Sequence, residues 1–450
     1  MHPASEHSAP TAQVSLSEVL AALSHALDLT EGQPLGHSIR TCLIGMRMAS
    51  DIGLSPEDRS ALYYALLLKD AGCSSNAARM AALFGSDDQY VKPRMKVVDW
   101  HHRFSLALHT ARNVGAGRGI SERVRHFVAI ARTEGMTRDL IAVRCERGAA
   151  IARQLGFPES TAQAIRSLDE HWCGLGYPEG LAEDRIPLLA RIANIAQAVE
   201  AFHDTGGVSA ALEVVRERRG SWFDPELVDV VLRWEDDSEW WRGLRSANVR
   251  EQVVVAEPAD QVRLADDDEL NGVARAFADI IDAKSPYTYC HSSRVAEYAR
   301  TLAGALGLDA DEQRRIYRAG LLHDIGKLGV SNRILDKAGP LTPAEWQQVQ
   351  QHPKYTLSIL SQVSAFGDFA WTAALHHEKL DGSGYSWGLR AKQLDLASRI
   401  LAVVDIYDAV TTDRPYRGGM DHPSAMQLLV ADRETKLCER VVDAAHTLGT

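Results

Sequence analysis

The sequence is short of paired cysteines, of basic charge and of long apolar runs. Its six cysteines, Cys42, Cys73, Cys145, Cys173, Cys290 and Cys438, are scattered and form no Cys-x-x-Cys pair. That leaves no disulfide framework and fits a reduced cytoplasmic protein with the thiols as core filler. No stretch approaches the roughly 18 apolar residues that a membrane span requires. The polar opening MHPASEHSAPTAQ lacks the apolar centre of a secretory signal. Lys and Arg total 49 against 60 Asp and Glu, a net charge of -11. This deficit argues against DNA as a partner and against a polybasic membrane anchor. A local metal or basic pocket still admits an anionic ligand. Alternating β-branched runs are rare as well, and EQVVVAEP at 251–258 is the best strand candidate.

What is present is helical. With 450 residues, two or three domains are expected. Residues 1–14 read as a disordered tail. Beyond it, LSEVLAALSHALDL and SPEDRSALYYALLLKD repeat apolar residues at spacings of three and four. The stretch 236–270 is rich in Asp and Glu, lacks sustained periodicity and reads as an acidic linker. ELNGVARAFADIIDA then begins a second helical region, and a last helix is expected over about 422–450.

The chain also repeats itself. GHSIR at 36–40 answers CHSSR at 290–294, and LLKDAGC at 67–73 answers LLHDIGK at 321–327. His37 and His291 stand 254 residues apart, as do Asp70 and Asp324. GYPEGL answers GYSWGL, and LARIANIAQAVEA answers ASRILAVVDIYDA, both at an offset of 208. Two constant offsets mark a tandem repeat. The change of offset, 254 − 208 = 46 residues, places an insertion in the first copy at about 74–143. Within it, His102 and His109 share a helix face but read as surface or packing residues.

The second copy carries a set of metal-ligand types: His291, His323, Asp324, His352, His376, His377 and Asp405. A carboxylate in the apolar helix LASRILAVVDIYDAV is costly to bury unless it is paired or bound to a metal. Neighbours on a helix diverge by about 100°, so His323 and Asp324 do not aim along one line, and Asp324 suits a bridge between two ions. The mixture of imidazole and carboxylate suits iron, manganese or zinc over calcium. Two such ions about 3.5–4 Å apart hold a water or hydroxide and clamp a phosphate.

From about residue 279 to 417, the stretches IDAKSPYTYCHSSRVAEYA, LLHDIGKLGVSNRIL, QHP, HHEKLDGSGYS and VVDIYDAVTTDRPYR resemble the HD-GYP domains. These form a branch of the HD phosphohydrolase superfamily that hydrolyses cyclic di-GMP. The resemblance implies an all-α fold of two HD-type helical bundles in tandem, a degenerate one at 15–235 and a catalytic one at 271–450. It implies that His291, His323, Asp324 and Asp405 hold one metal, and that Asp324 bridges to a second held by His352, His376 and His377. Iron or manganese is favoured. By the same resemblance Lys327 reaches a phosphate oxygen and works with Asp324 in catalysis. Arg414 and Arg417 contact phosphate or guanine, and Asp381, Gly382, Gly384 and Tyr385 form a substrate loop. The implied reaction uses a hydroxide held between the metals to open cyclic di-GMP to linear pGpG, and onward to GMP. Two departures stand out. Ser386 replaces the family proline, so a looser loop is expected. Tyr287 replaces a glutamate that gives some members a third metal, so two metals are expected. The alternatives are another cyclic dinucleotide or a nucleotide as substrate, and a scaffold that binds cyclic dinucleotides without turnover.

In the first copy, Lys69, Asp70, Cys73, Arg144, Leu168, Asp169 and Gln197 occupy the registers of His323, Asp324, Lys327, His352, His376, His377 and Asp405. Only His37 and Asp70 survive among the ligand positions. This copy is expected to be metal-free and inactive, with Lys69 paired to Asp70 in place of metal charge. Its retained fold and its Gly176-Tyr177-Pro178 suit dimerisation, regulation or sensing. A homodimer is expected, and a GGDEF-type cyclase is a candidate partner.

Overall fold

Helix-start chemistry sets the boundaries. Ser55 accepts a hydrogen bond from Asp58 N ahead of Pro56 at the first helical position, and Asp309 and Glu312 close a reciprocal capping box. The structure, a computed structural model, describes residues 14–84, 89, 136–259, 261–413 and 418–449. The first copy runs β1 (Val14–Ser15), α1 (Leu16–Glu31), α2 (His37–Asp51), α3 (Pro56–Leu68), α4 (Ala77–Phe84), α5 (Met136–Gln154), α6 (Glu159–Arg166), α7 (Leu188–Glu217) and α8 (Pro225–Leu232). Then come α9 (Ser238–Gly243), α10 (Val249–Val255) and β2 (Leu264–Ala265). The second copy holds α11 (Asp267–Asp282), α12 (His291–Ala305), α13 (Ala310–Leu322), α14 (Asn332–Leu335), α15 (Pro343–Val349), α16 (His352–Leu360), α17 (Gly367–Ala374), α18 (Leu396–Thr411), α19 (His422–Ala431) and α20 (Glu439–Ala444).

The fold is all-α. Among the described residues, β1 and β2 form the one sheet, a two-residue antiparallel pairing. The repeat is exact in its helix bounds: α2 and α3 map onto α12 and α13 at the offset of 254, and α6 maps onto α17 at 208. No helix among the described residues is long and apolar enough to cross a membrane.

Helix α1 is buried on every side, with Val19, Leu20, Leu23 and Leu27 at most 1% exposed. It packs on α2 and α3 of its own copy and on α16 and the 3-10 turn Ile325–Gly329 of the other. Its polar Ser17, Ser24, Asp28, Thr30 and Glu31 are buried along with its apolar residues, so the helix lies within the core. Polar links reinforce this: Gln362 bonds His25 at 2.9 Å, and Ser364 N donates to Glu18 at 3.3 Å.

Several local expectations change. EQVVVAEP is not a strand, since 249–255 is helical with Val253 buried and Val255 83% exposed, the one-sided burial of a helix. The segment 236–270 is folded throughout its two short helices. Its acidic residues act as caps: Asp237 accepts from Trp240 N, and Asp266 forms a capping box with Glu269. Trp241 anchors it in the core, and the Arg47 guanidinium lies over Trp234 and Trp240 at 4.6 and 4.4 Å. Val14, placed in the tail by sequence, is buried in β1. The last helix is broken at Glu434, whose φ of 65° ends the helical path between α19 and α20. His102 and His109 lie outside the described residues.

Candidate active site

The helix ends of the second copy aim at one point. His291 opens α12, His323 caps α13, and Asp324 begins the turn Ile325–Gly329. His352 opens α16, His376 and His377 follow α17, and Asp405 lies mid-way along α18. Glycine permits the close approach. A Cβ on Gly326 would stand 1.9 Å from the His352 carbonyl oxygen, and one on Gly320 would stand 2.7 Å from Ala296 Cα. Thr356 ties the turn down, donating to the His323 carbonyl at 2.9 Å and accepting from Gly326 N at 3.1 Å.

All seven residues come together. Asp324 Oδ2 lies 3.6 Å from His291 Nε2 and 3.3 Å from His323 Nε2. Its Oδ1 lies 3.4 Å from His352 Nε2 and 3.6 Å from His376 Nε2. Asp405 Oδ1 lies 3.4 Å from His291 Nε2, and its Oδ2 lies 3.7 Å from His377 Nδ1. Two sets of donors are each close enough to share one cation: Asp324 with His352, His376 and His377, and Asp324 with His291 and His323. Asp324 belongs to both.

The centre fits divalent cations. His323 Nε2 and Asp324 Oδ1 are buried with no hydrogen-bond partner, a costly condition that a shared cation would relieve. Five imidazoles and two carboxylates suit a transition metal. Burial pushes the His352 imidazole down to about 3, and it also lowers His376 and, further, His377. These rings are neutral near pH 7, the form that binds a cation. Burial opposes ionisation of Asp324, but His323 and Lys327 outweigh it and hold the carboxyl well below its usual range. Burial would also lower His291, but Asp405 and Asp408 overcome this and raise it to about 10. His291 would have to give up that proton to hold a cation.

Lys327 Nζ is 2.5 Å from Asp324 Oδ2. A cavity of about 800 Å³ is lined by Lys327, His291, His377 and Asp405, and also by Lys284, Arg294, Lys337 and Tyr287. Tyr385 packs its ring 4.6 Å from that of His377. A Cβ on Gly384 would strike the backbone of 377–379 at 2.5–2.6 Å, so glycine lets the loop lie against His377. Asp381 points elsewhere: it is exposed, bonded to Ser383 and outside the cavity lining. Gly382 takes φ 82° in the same loop. Ser386 is not loosely held, because its Oγ donates to the Gln350 carbonyl at 2.7 Å. Arg414 and Arg417 lie outside the described residues.

Sequence reasoning missed Asp408, which bonds His291 Nδ1 at 2.7 Å, and Arg294, which bonds Asp408. The repeat held the signal, since Arg40 and Glu200 occupy the same registers in the first copy and also meet, at 2.7 Å.

In the first copy, protein cations take the centre. Lys69 Nζ lies 3.1 Å from His37 Nε2 and contacts the Asp70 carboxylate. Arg144, at the register of His352, pairs with Asp169. Burial opposes the charge on Arg144, but Cys73, Cys145, Glu31 and Asp70 outweigh it and raise its pKa. Glu31, Asp70 and Cys73 are close enough to share a cation, and Lys69 and Arg144 stand beside them. Asp70→Ala strands the buried Lys69 ammonium, so a loss of about 3–5 kcal/mol is expected in urea unfolding. Metal content should not change, and a metal loss matching the stability loss would refute the internal pairing.

Comparison with known proteins agrees with this geometry. A family model described as HD domain matches residues 130–227 and 275–440, more than half of the chain. A 3'3'-cGAMP-specific phosphodiesterase of Vibrio cholerae is 42% identical over 423 residues, covering 94% of this chain and 92% of its own length. A cyclic di-GMP phosphodiesterase of Pseudomonas aeruginosa is 41% identical over 142 residues, 31% of this chain and 34% of its own. The crystal structure of a cyclic GMP-AMP-specific phosphodiesterase of V. cholerae superposes with a TM-score of 0.66 at 36% identity, covering 97% of each chain. The chain therefore belongs to the HD domain family, as an HD-GYP phosphodiesterase with its histidine–aspartate cluster in the second copy.

Proposed function

We propose that this protein hydrolyses a 3'3'-linked cyclic dinucleotide, with 3'3'-cGAMP as its preferred substrate, at the centre built around Asp324. The observation that carries the reading is the pair of donor sets that share Asp324 beside Lys327. When bound, two divalent cations, iron or manganese, would supply the Lewis acidity and the activated water of such a hydrolysis. His291, His323, Asp324 and Asp405 would hold one, and Asp324, His352, His376 and His377 the other. Lys327 is placed to neutralise charge on a phosphoryl oxygen at the cluster. Lys284, Arg294, Lys327 and Lys337 bring four cationic groups to a cavity that Asp405 and Asp408 also line, which suits an anionic ligand. The preference for cGAMP rests on the V. cholerae relative, whose match extends over 92% of its length.

A second reading keeps the site and takes cyclic di-GMP as substrate, favoured by the P. aeruginosa relative. The two separate in a turnover assay with 3'3'-cGAMP, cyclic di-GMP and cyclic di-AMP, reading linear product by chromatography. The expected result is a kcat/KM for cGAMP at least about tenfold above the others, a 1.4 kcal/mol discrimination. Equal or faster opening of cyclic di-GMP would hand the assignment to the second reading. Turnover that survives His323→Ala would defeat both.

A further inference from the structure

We propose that Asp408 is a positioning residue that sets His291 apart from His323, His352 and His376 and makes its cation position the more dependent on an outer carboxylate. The inference rests on the reading of His291 as a metal-holding residue given above.

The reason is local geometry. His323, His352 and His376 each direct Nδ1 to the carbonyl three residues earlier, those of Gly320, Val349 and Ala373, at 2.8, 2.7 and 2.7 Å. Each ring is thereby turned with Nε2 to the centre, with no help from another side chain. His291 has no such carbonyl to use. The carbonyl three residues earlier, that of Thr288, accepts the backbone N–H of His291 itself at 3.0 Å. A side chain from another helix fills the place: Asp408 Oδ2 lies 2.7 Å from His291 Nδ1. This leaves Nε2 facing Asp324 and Asp405 at 3.6 and 3.4 Å.

Asp408 is itself held. It is 1% exposed, and Arg294 reaches it with Nε at 2.5 Å from Oδ1 and Nη2 at 3.0 Å from Oδ2. A carboxylate behind an imidazole makes it a stronger ligand than a carbonyl does. The first copy retains the same chain of contacts with a longer acid, Arg40 to Glu200 to His37, while Lys69 covers His37 Nε2. Two predictions separate a ligand-positioning role from helix glue. A glutamate at 408 should substitute for the aspartate, and the loss of Glu200 should leave metal binding alone.

The test is calorimetric titration of the metal-stripped full chain with Mn²⁺, alongside thermal melts. Asp408→Asn should weaken one Mn²⁺ position about 10–100-fold and leave the other within about threefold, the usual range for loss of an outer-shell partner. Asp408→Glu should keep both positions, and Glu200→Gln should change neither. Should D408N fail to fold, D408E decides, because loss of either position in it contradicts the substitution shown by Glu200. The inference is overturned if D408N leaves both affinities unchanged, weakens both equally, or behaves as E200Q does. Wild-type protein that takes up no Mn²⁺ would overturn the metal-centre reading instead, so the two failures are distinct.

Discussion

Asp324→Ala should lower turnover by at least about a thousandfold and leave the bundle folded. Asp324 belongs to both donor sets, with Oδ2 toward His291 and His323 and Oδ1 toward His352 and His376. Loss of a single preorganised electrostatic group costs about 10²–10³ in rate, and here one substitution weakens both cation positions at once. The fold should survive because little charge is stranded. His352 and His377 are neutral rings, and Lys327 is part-exposed and can turn to water. The contrast with Asp70→Ala is the informative part. At Asp70 the ammonium left behind is 1% exposed, so the damage there falls on stability. Rates at saturating substrate and circular dichroism read the two effects. An Asp324→Ala enzyme within about tenfold of wild type would remove Asp324 from the chemistry.

Chelation should abolish activity, and Mn²⁺ or Fe²⁺ should restore it where Ca²⁺ does not, since the donors are mostly imidazole. The same experiment has a second readout. A cation that binds only the folded state adds about 2.7 kcal/mol of stability at a hundred times its Kd. The unpartnered His323 Nε2 and Asp324 Oδ1 are the atoms that would gain partners. The melting temperature should therefore rise with Mn²⁺ in wild type and stay level in Asp324→Ala. A wild-type melt indifferent to Mn²⁺, or full activity after chelation, would contradict a metal-dependent centre.

Much of this was legible in the sequence because the ligands are rare residue types in fixed motifs. LLHDIGK and HHEK announce themselves, and the repeat offsets of 254 and 208 return as identical helix bounds. The pairing of Lys69 with Asp70 could be read because neighbouring residues at a helix end stay neighbours after folding. Misreadings came where composition outweighed position. EQVVV has strand-type residues, but tertiary packing chose a helix with Val253 inward. The acids of 236–270 read as a linker, whereas several cap helices in a folded segment. Asp408 was hidden for another reason. Its value depends on His291 Nδ1 meeting a side chain of α18 and not a backbone carbonyl of its own segment, which is visible only when two elements distant in sequence are brought together.

The position of α1 carries one more consequence. This helix belongs by sequence to the copy without the metal-type residues, yet it is a shared wall. Leu29 packs near Gly329, and Gln89 bridges the carbonyls of Leu29 and Leu328 at 3.1 and 3.2 Å. The turn that carries Lys327 thus has its outer side sealed by the first copy. Removing α1 would open water to the back of that turn and empty the part of the core that Leu20, Leu23 and Leu27 fill. The two halves should therefore unfold together, and a ligand bound in the second copy should slow amide exchange in α1 of the first.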